Sequence, residues 1–456
     1  MLAAPPAGSE EGLERRLKTR HLSMIAIGGA IGVGLFLGSS LTISQAGPGV
    51  ILSYLAGAAI ALVMAIALAE MAVVHPVAGS FGVYAERYLN DWAGFAVRTT
   101  YAACQILAIG AEVTAVAIYF AYWFPGAPQW LWVALVSAGL VGVNATHVGR
   151  FGEFEYWFAM IKVVAILAFI GVGGALVLGL GERPALGLVN LTAHGGFLPH
   201  GWSGVWLALV LALTSYMGVE VVAVAAGEAE NPRESIPRAM RTIVLRLIVF
   251  YVLAISVMLA MTPWTQSGSG ALEGSPFVRA FSAAGIPFAA GFMNFVVISA
   301  ALSSANTNLY LSTRMIFSLA RSGYLSRGFG GLSPAGVPHR ALLLSSAGMV
   351  AAILLAVFAP SRAFLGLYGA AVAGMLFVWL VALLTHLRFR RALGPAGIAE
   401  LPLRLPAHPL PTLAALLALA AISATTLAID GLRYSLASFV LFLLVVSLFQ
   451  RRARLP

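Results

Sequence analysis

The stretch from residue 27 to residue 37, Ile-Gly-Gly-Ala-Ile-Gly-Val-Gly-Leu-Phe-Leu, has the residue types to bind a small charged ligand through its backbone. It lies in a long apolar segment, yet each glycine inside a helix costs about 1 kcal/mol relative to alanine. A helix that opens inside a bilayer is tolerated only where its unpaired N–H and C=O groups line a cavity or bind something. We therefore predict a broken helix whose break holds a small charged substrate. The alternative is that Gly28, Gly32, Gly34 and Gly38 form a small-residue surface for helix packing.

Lys162 is the second residue that could do chemistry. The chain has only one other lysine, Lys18 near the N-terminus, and all remaining basic residues apart from histidine are arginines. A buried lysine can lose its proton near neutral pH, whereas arginine cannot. A charge at that depth costs about 2.5–3.5 kcal/mol, so such a residue usually has a function. The alternative is that its long side chain reaches back to the membrane surface.

Two acidic residues in apolar segments are further candidates. Glu220 lies at a depth similar to that of Lys162, so a proton relay and a structural buried pair are both open interpretations. Glu112 is near mid-membrane and either borders a pocket, where it would favour cationic substrates, or binds a partner within the helix bundle. No Cys/His/Asp cluster has metal-ligand spacing, and no nucleophile lies near a base. We therefore predict no metal, no cofactor and no enzymatic activity.

The composition requires a bilayer around these residues. Of the 456 residues 60% are hydrophobic and 10% are charged, a balance that soluble domains of this length do not have. The net charge of +10 could indicate nucleic acid binding, but the basic residues lie in short loops between apolar runs. That placement predicts an all-α polytopic membrane protein with the lipid bilayer, and not nucleic acid, as its partner.

Apolar runs of about 20 residues, each long enough to cross a membrane, recur along the chain. The predicted spans are 22–44, 49–74, 97–124, 129–147, 154–180, 203–228, 241–262, 283–313, 341–359, 363–386, 411–429 and 433–450. With the N-terminus inside, the inner segments hold 22 of the 27 Lys and Arg residues and the outer loops hold four. This asymmetry predicts a plasma-membrane protein whose two tails, 1–21 and 451–456, are both cytoplasmic. A proline-rich linker, 387–410, makes the last two spans, 411–450, peripheral.

Several long motifs resemble the amino acid permeases of the amino acid–polyamine–organocation superfamily. Span 1 contains Gly28-Gly-Ala-Ile-Gly-Val-Gly-Leu-Phe-Leu-Gly-Ser, and span 6 with its loop contains Ser215-Tyr-Met-Gly-Val-Glu and Ala226-Gly-Glu-Ala-Glu-Asn-Pro-Arg-Glu-Ser-Ile-Pro-Arg-Ala. Four further matches are Pro76-Val-Ala-Gly-Ser-Phe, Phe151-Gly-Glu-Phe-Glu-Tyr-Trp-Phe-Ala-Met-Ile-Lys-Val, Leu302-Ser-Ser-Ala-Asn and Thr385-His-Leu-Arg-Phe-Arg-Arg. The resemblance implies a 5+5 inverted-repeat core of the leucine-transporter type over residues 22–386. Its repeats are 22–180 and 203–386, with breaks in helices 1 and 6.

The resemblance also implies an amino acid substrate. Its carboxylate would meet the N–H groups around Gly34 at the start of a half-helix, and its ammonium would meet carbonyls freed at the two breaks. The residues so assigned to substrate binding are Ala30, Ile31, Gly32, Val33, Gly34, Ile106, Gly110, Thr214, Ser215, Tyr216, Met217 and Gly218. Val33 departs from many relatives, which have a hydroxyl residue there. Tyr216 is either a gate over the substrate or ordinary core packing.

Lys162 would occupy the cation site of related sodium-coupled folds, close to Ser303 and Ser304, so that a proton replaces sodium. Glu220 completes the set assigned to proton coupling, and Glu112 is a possible pocket acid. The resemblance thus implies import of an amino acid, neutral because the pocket is mostly apolar, together with protons. A proton-independent exchanger and a sensor that binds an amino acid without moving it are the alternatives. The sequence does not set the oligomeric state.

Overall fold

The computed structural model describes residues 15, 17–36, 38–146, 148–180, 184–267, 277–278, 280, 288–428 and 433–453. Most of these residues are helical, and the apolar composition of the helices confirms the expected all-α membrane fold. By length and apolar composition, five described helical stretches can each cross a bilayer, and further apolar helices are shorter. The five are Gly34–Val74, Asp91–Phe120, Phe151–Leu178, His339–Phe358 and Ala371–Ala399. The chain is therefore a multi-pass membrane protein.

The helices are numbered in chain order. The first half contains α1 (Thr19–Ala30), α2 (Val33–Phe36), α3 (Gly38–Ala46), α4 (Val50–Val74), α5 (Ser80–Tyr88), α6 (Asp91–Phe120), α7 (Gln129–Asn144) and α8 (Val148–Leu178). The second half contains α9 (Gly201–Ser215), α10 (Val221–Ala225), α11 (Pro232–Leu247), α12 (Ala254–Met261), α13 (Trp264–Ser267), α14 (Ala289–Arg321), α15 (His339–Ser345), α16 (Ala347–Phe358), α17 (Pro360–Ala399), α18 (Leu410–Thr425) and α19 (Arg433–Ala453). A π-helical turn, Ile248–Leu253, joins α11 to α12.

Both expected breaks are present in the described backbone. α1 ends at Ala30, and Ile31 and Gly32 form a bend before α2 begins. α9 ends at Ser215, and five turn residues separate it from α10. Gly218 in this turn has φ of 119°, a conformation that side chains disfavour, so a glycine is needed there. The two breaks meet because the Ser215 hydroxyl donates to the Gly34 carbonyl at 3.2 Å.

Three boundaries differ from the sequence predictions. α8 begins at Val148, six residues before the expected start of span 5. α11 begins at Pro232, nine residues before the expected start of span 7, and carries Pro237 inside it. The reason is that proline suits the first helical position, where its missing N–H is not needed. α17 continues to Ala399, with a kink at Gly394, so much of the expected linker 387–410 is helical.

α6 and α14 form the centre of the bundle, where α14 and α17 both pack along α6. α1 packs against α8 and α11, and α9 packs against α3 and α4. The chain thus places both breaks, α8 and α14 around one central region. α5 follows α4 after a short turn and packs against α6.

Charged networks tie the helix ends together on the side that carries the N-terminal segment. The carboxylate of Glu228 accepts hydrogen bonds from the Arg314 guanidinium at 2.6 and 3.1 Å and from the Tyr310 hydroxyl at 2.7 Å. The backbone of Leu17 pairs with the same loop, donating to the Glu228 carbonyl and accepting from the Glu230 N–H. The N-terminal segment is therefore anchored to the loop after the second break.

Glu70 at the end of α4 organises a second network. Its carboxylate accepts from His386 Nε2 at 2.9 Å, from Arg390 Nε at 2.7 Å and from the backbone N–H of Leu405 at 2.6 Å. Glu70, His386 and Arg390 are all buried. The network joins α4 to α17 and to the segment that follows α17, so Glu70 has a structural role at this end of the bundle.

His75, which follows α4, gives the first testable expectation. Its Nε2 lies 2.7 Å from the Tyr88 hydroxyl, and burial, together with the charge of Arg87, lowers the pKa of His75 to about 4. The unfolded chain, with a histidine pKa near 6.5, therefore binds more protons between about pH 4 and pH 6.5. Stability should fall as the pH is lowered through this window, which thermal unfolding in detergent from about pH 7 to about pH 4.5 measures.

The His75→Gln variant should lose part of this acid sensitivity because its side chain does not titrate. The matched control is His194→Gln, at a histidine that is exposed. An equal fall in melting temperature in wild type and His75→Gln would show that another group is responsible.

Candidate functional site

A cavity of about 80 Å³ lies between the two helix breaks. Its walls come from the α1–α2 bend, from the α9–α10 turn, and from α6, α14 and α17. The lining residues are Gly32, Gly34, Cys104, Gln105, Ala108, Glu112, Thr214, Ser215, Met217, Gly218, Glu220, Ser304, Asn308, Ala371, Val372 and Met375. Two carboxyl groups are among these residues, and no basic side chain is.

The structure brings together six of the twelve residues that the sequence assigned to substrate binding. Those that line the cavity are Gly32, Gly34, Thr214, Ser215, Met217 and Gly218. Ala30 and Val33 flank the bend, and their side chains lie outside the described part of the structure. Ile31 is buried, and its carbonyl points to Lys162 instead of the cavity lining.

Three assigned residues lie outside the cavity lining. Gly110 is a close helix contact, because a Cβ there would lie 2.7 Å from the carbonyl oxygen of Gly348 on α16. Ile106 faces a different, apolar cavity. Tyr216 packs against Tyr54 and Tyr251 in the core. The α6 residues that line the cavity are instead Cys104, Gln105, Ala108 and Glu112.

Tyr216 has the environment of a packing residue. It is fully buried, and its hydroxyl donates to the Tyr54 carbonyl at 2.8 Å. Its ring also fills the space beside Gly57, where an added Cβ would lie 2.9 Å from the ring. This geometry favours the core-packing interpretation over the gate.

Under the transport function that the resemblance implies, the Tyr216→Phe variant should keep the uptake rate and apparent affinity of the wild type. It should lose about 1 kcal/mol of stability, because one buried hydrogen bond is removed. Uptake and thermal unfolding measured side by side test this, with Tyr122→Phe at an exposed position as the control. A large fall in uptake without a fall in stability would instead support the interpretation of Tyr216 as a gate.

Lys162 joins the first break to α14. Its Nζ donates to the Ile31 carbonyl at 3.0 Å and to the Ser303 hydroxyl at 2.7 Å, and the side chain is fully buried. The Ser303 hydroxyl in turn donates to the carboxylate of Glu155, which Asn306 also contacts at 3.4 Å. The ammonium does not reach the membrane surface. It is instead a link between the bend of helix 1 and the centre of the bundle.

Glu155 is a residue of this site that the sequence analysis missed. It lies seven residues before Lys162 on α8, and two helical turns place both side chains on one face. The charges of Glu155 and Glu112 both act on Lys162. The seven-residue spacing could have indicated that Glu155 and Lys162 share a helix face. Glu155, however, lies at the polar end of span 5, where an acid is usually exposed to solvent.

Glu112 and Ser304 meet at the cavity wall. The Ser304 hydroxyl donates to Glu112 Oε1 at 2.7 Å, and both residues are buried. A Cβ added at Gly32 would lie 2.7 Å from Ser304 Oγ and 3.0 Å from Glu112 Oε1. The glycine therefore lets the bend of helix 1 lie directly against this polar pair, because any larger residue would displace it.

Glu220 belongs to the second break. Its carboxylate accepts from the backbone N–H of Gly218 at 2.9 Å and from the Tyr101 hydroxyl at 3.2 Å. The acid that accompanies Lys162 through Ser303 is Glu155, so the structure places Glu220 apart from the arrangement that we expected. Glu220 both lines the cavity and stabilises the turn of the broken helix.

A small cavity between two interrupted helices, with a buried ammonium bound to one break, is typical of membrane transport proteins. The sequence pattern of the amino acid permease family matches residues 21–450. The chain is 40% identical over 399 residues to the uncharacterized amino acid permease YtnA of Bacillus subtilis (strain 168), covering 87% of this chain and 86% of that protein. The chain belongs to the amino acid permease family.

Two further relatives have more specific names. The gamma-aminobutyric acid permease of Bacillus subtilis (strain 168) is 40% identical over 428 residues, which cover 93% of this chain and 90% of that protein. The aromatic amino acid transport protein AroP of Escherichia coli (strain K12) is 38% identical over 440 residues, with coverage of 96% and 95%. These similar identities support amino acid transport without separating a small substrate from an aromatic one.

Proposed function

We propose that this protein is a secondary active transporter that imports a small neutral amino acid together with a proton by alternating access. The observation that carries the proposal is the contact of the Lys162 ammonium with the Ile31 carbonyl, at the break that also borders the cavity. A group that gains or loses a proton there would change the same backbone segment that the substrate meets. Binding of the substrate would then depend on binding of the proton, and the reverse would also hold.

The cavity supports a small substrate. One water needs about 10–15 Å³ of such space, so the cavity holds on the order of five to eight non-hydrogen atoms. The carboxylate of the amino acid would meet backbone N–H groups near Gly34, and its ammonium would meet Glu112 or Glu220. The remaining wall, with Ala371 and Met375, is apolar and suits an uncharged side chain.

We propose the architecture that the resemblance implies as well. It has twelve spans, an inverted-repeat core with halves 22–180 and 203–386, peripheral helices 411–450, and both termini in the cytoplasm. The matching breaks in helices 1 and 6 support this arrangement, since inverted repeats place discontinuous helices at corresponding positions. A proton crossing about 100 mV supplies about 2.3 kcal/mol, enough for roughly fiftyfold accumulation.

Uptake into proteoliposomes tests the function. The panel contains labelled alanine, proline, gamma-aminobutyric acid, phenylalanine, tryptophan and lysine, each with and without an imposed pH gradient. We expect gradient-driven accumulation of a small neutral amino acid. Uptake only in exchange for internal amino acid would instead show an exchanger, and binding without uptake would show a sensor. Accumulation of lysine would contradict the proposal that the substrate is neutral. Accumulation of tryptophan alone would contradict the proposal that the substrate is small.

A further inference from the structure

A second, larger cavity lies away from the candidate transport site. It has a volume of about 590 Å³, within the range of small-molecule sites, and lies among α6, α14, α15 and α19. Its lining residues are Phe95, Thr99, Ala102, Ala103, Ile106, Ile316, Leu319, Tyr324, Leu325, Leu344, Val446 and Phe449. Nearly all of them are apolar, so the cavity suits a hydrocarbon chain.

The outer wall of this cavity is the peripheral helix α19. Its side chains Val446 and Phe449 line the cavity, and Phe449 is 63% exposed. The helix is attached to α6 by a hydrogen bond of 2.9 Å from Trp92 Nε1 to the Ser447 hydroxyl. The cavity is thus a cleft between α6 and the peripheral helix α19, with one side at the exposed surface of the protein.

Three exposed arginines lie close in the sequence to residues that line one end of this cleft. Arg321 and Arg327 flank the lining residues Tyr324 and Leu325 in the sequence, and Arg340 precedes Leu344 by one helical turn. Arg340 also lies against the segment after Arg327, because a Cβ at Gly328 would be 2.4 Å from Arg340 Nη1. No aspartate or glutamate occurs between residues 289 and 399. This segment therefore contributes only positive charge to the rim, and the acid that contacts the lining residue Tyr324, Glu86, is paired with Arg98.

We propose that the cleft binds an anionic phospholipid, with one acyl chain in the cavity and the phosphate at Arg327 and Arg340. An apolar cavity beside a basic rim matches the two parts of such a lipid, and basic pockets between membrane helices bind anionic headgroups. Thr99 supplies a polar point inside the cleft, since its hydroxyl is buried and has no hydrogen-bond partner among the described residues. This site is independent of the proposed transport function.

Native mass spectrometry of the purified full chain with phosphatidylglycerol or phosphatidylcholine tests the proposal. We expect a retained phosphatidylglycerol that phosphatidylcholine does not replace. An arginine near an anionic membrane surface contributes about fivefold in affinity, so Arg327→Gln with Arg340→Gln should weaken binding about thirtyfold. The control is Arg391→Gln, an exposed arginine on α17, which should leave binding unchanged.

The cavity itself is tested by Ala103→Trp, which fills it, against Ala138→Trp at an exposed position on α7. Only the first should lose the lipid, while size-exclusion profiles show that both variants remain folded. The arginine pair lies on the exposed rim, so its result decides the matter even if Ala103→Trp does not fold. Equal retention in the arginine variant and wild type, or equal affinity for phosphatidylcholine, overturns the proposal. So does a wild-type dimer that Ala103→Trp separates, because a second copy would then cover the cleft.

Discussion

Replacing Lys162 with methionine should abolish gradient-driven accumulation. The ammonium holds the Ile31 carbonyl and the Ser303 hydroxyl, and methionine fills similar space without a titratable group. The ratio of internal to external amino acid should fall from roughly fiftyfold to about one at an imposed gradient equivalent to about 100 mV. Proteoliposome uptake with and without the gradient measures the change.

The matched control is Lys18→Met, because Lys18 is the only other lysine and is exposed. That variant should accumulate substrate as the wild type does. Substrate-induced thermal stabilisation shows whether Lys162→Met is folded and still binds. Undiminished accumulation in folded Lys162→Met would remove this residue from the coupling mechanism.

Gly32→Ala should reduce transport about tenfold to a hundredfold. The added methyl group would lie 2.7 Å from Ser304 Oγ and 3.0 Å from Glu112 Oε1, so the bend or the polar pair must move. Overpacking of this kind costs about 1–3 kcal/mol, which corresponds to the expected loss if the displaced groups serve binding. Uptake rates at several substrate concentrations measure the effect.

Gly139→Ala is the control for this substitution. Gly139 also lies in a membrane helix, α7, but an added Cβ there meets no atom within 4 Å. It should transport normally. Normal transport by Gly32→Ala would show that the bend relaxes without cost and that its closeness to Ser304 does not serve the substrate.

The breaks in helices 1 and 6 could be predicted because glycine acts locally, through backbone conformation. The contact of Lys162 with Ser303 could be anticipated from family resemblance alone, since the two residues are far apart in the sequence. Glu155 was not singled out, although its spacing places it on the same helix face as Lys162, because an acid near a helix end has the same composition signal whether it is solvated or buried. Which residues of α6 face the cavity depends on helix rotation, and this is why Ile106 and Gly110 were assigned to it.

Boundaries were predicted less well where a helix continues beyond the apolar region. The extension of α17 to Ala399 was not predicted, because hydropathy identifies the apolar residues that lie in a membrane and not the whole helix. The arginines after His386 are good helix formers and allow the helix to continue. The start of α11 at Pro232 was missed for the same reason, since the first two turns of this helix are polar. Hydropathy therefore identifies the apolar part of a helix, while capping residues and prolines determine where the helix begins and ends.

The bond from Lys162 to the Ile31 carbonyl has a thermodynamic consequence under the proposed mechanism. One backbone segment would belong to both the substrate site and the proton site, so the two ligands share a coupling free energy. Such coupling is reciprocal: the factor by which protonation changes amino acid affinity must equal the factor by which the amino acid changes proton affinity. Calorimetric titrations at two pH values and the number of protons taken up on binding would therefore give two independent measurements of this coupling free energy.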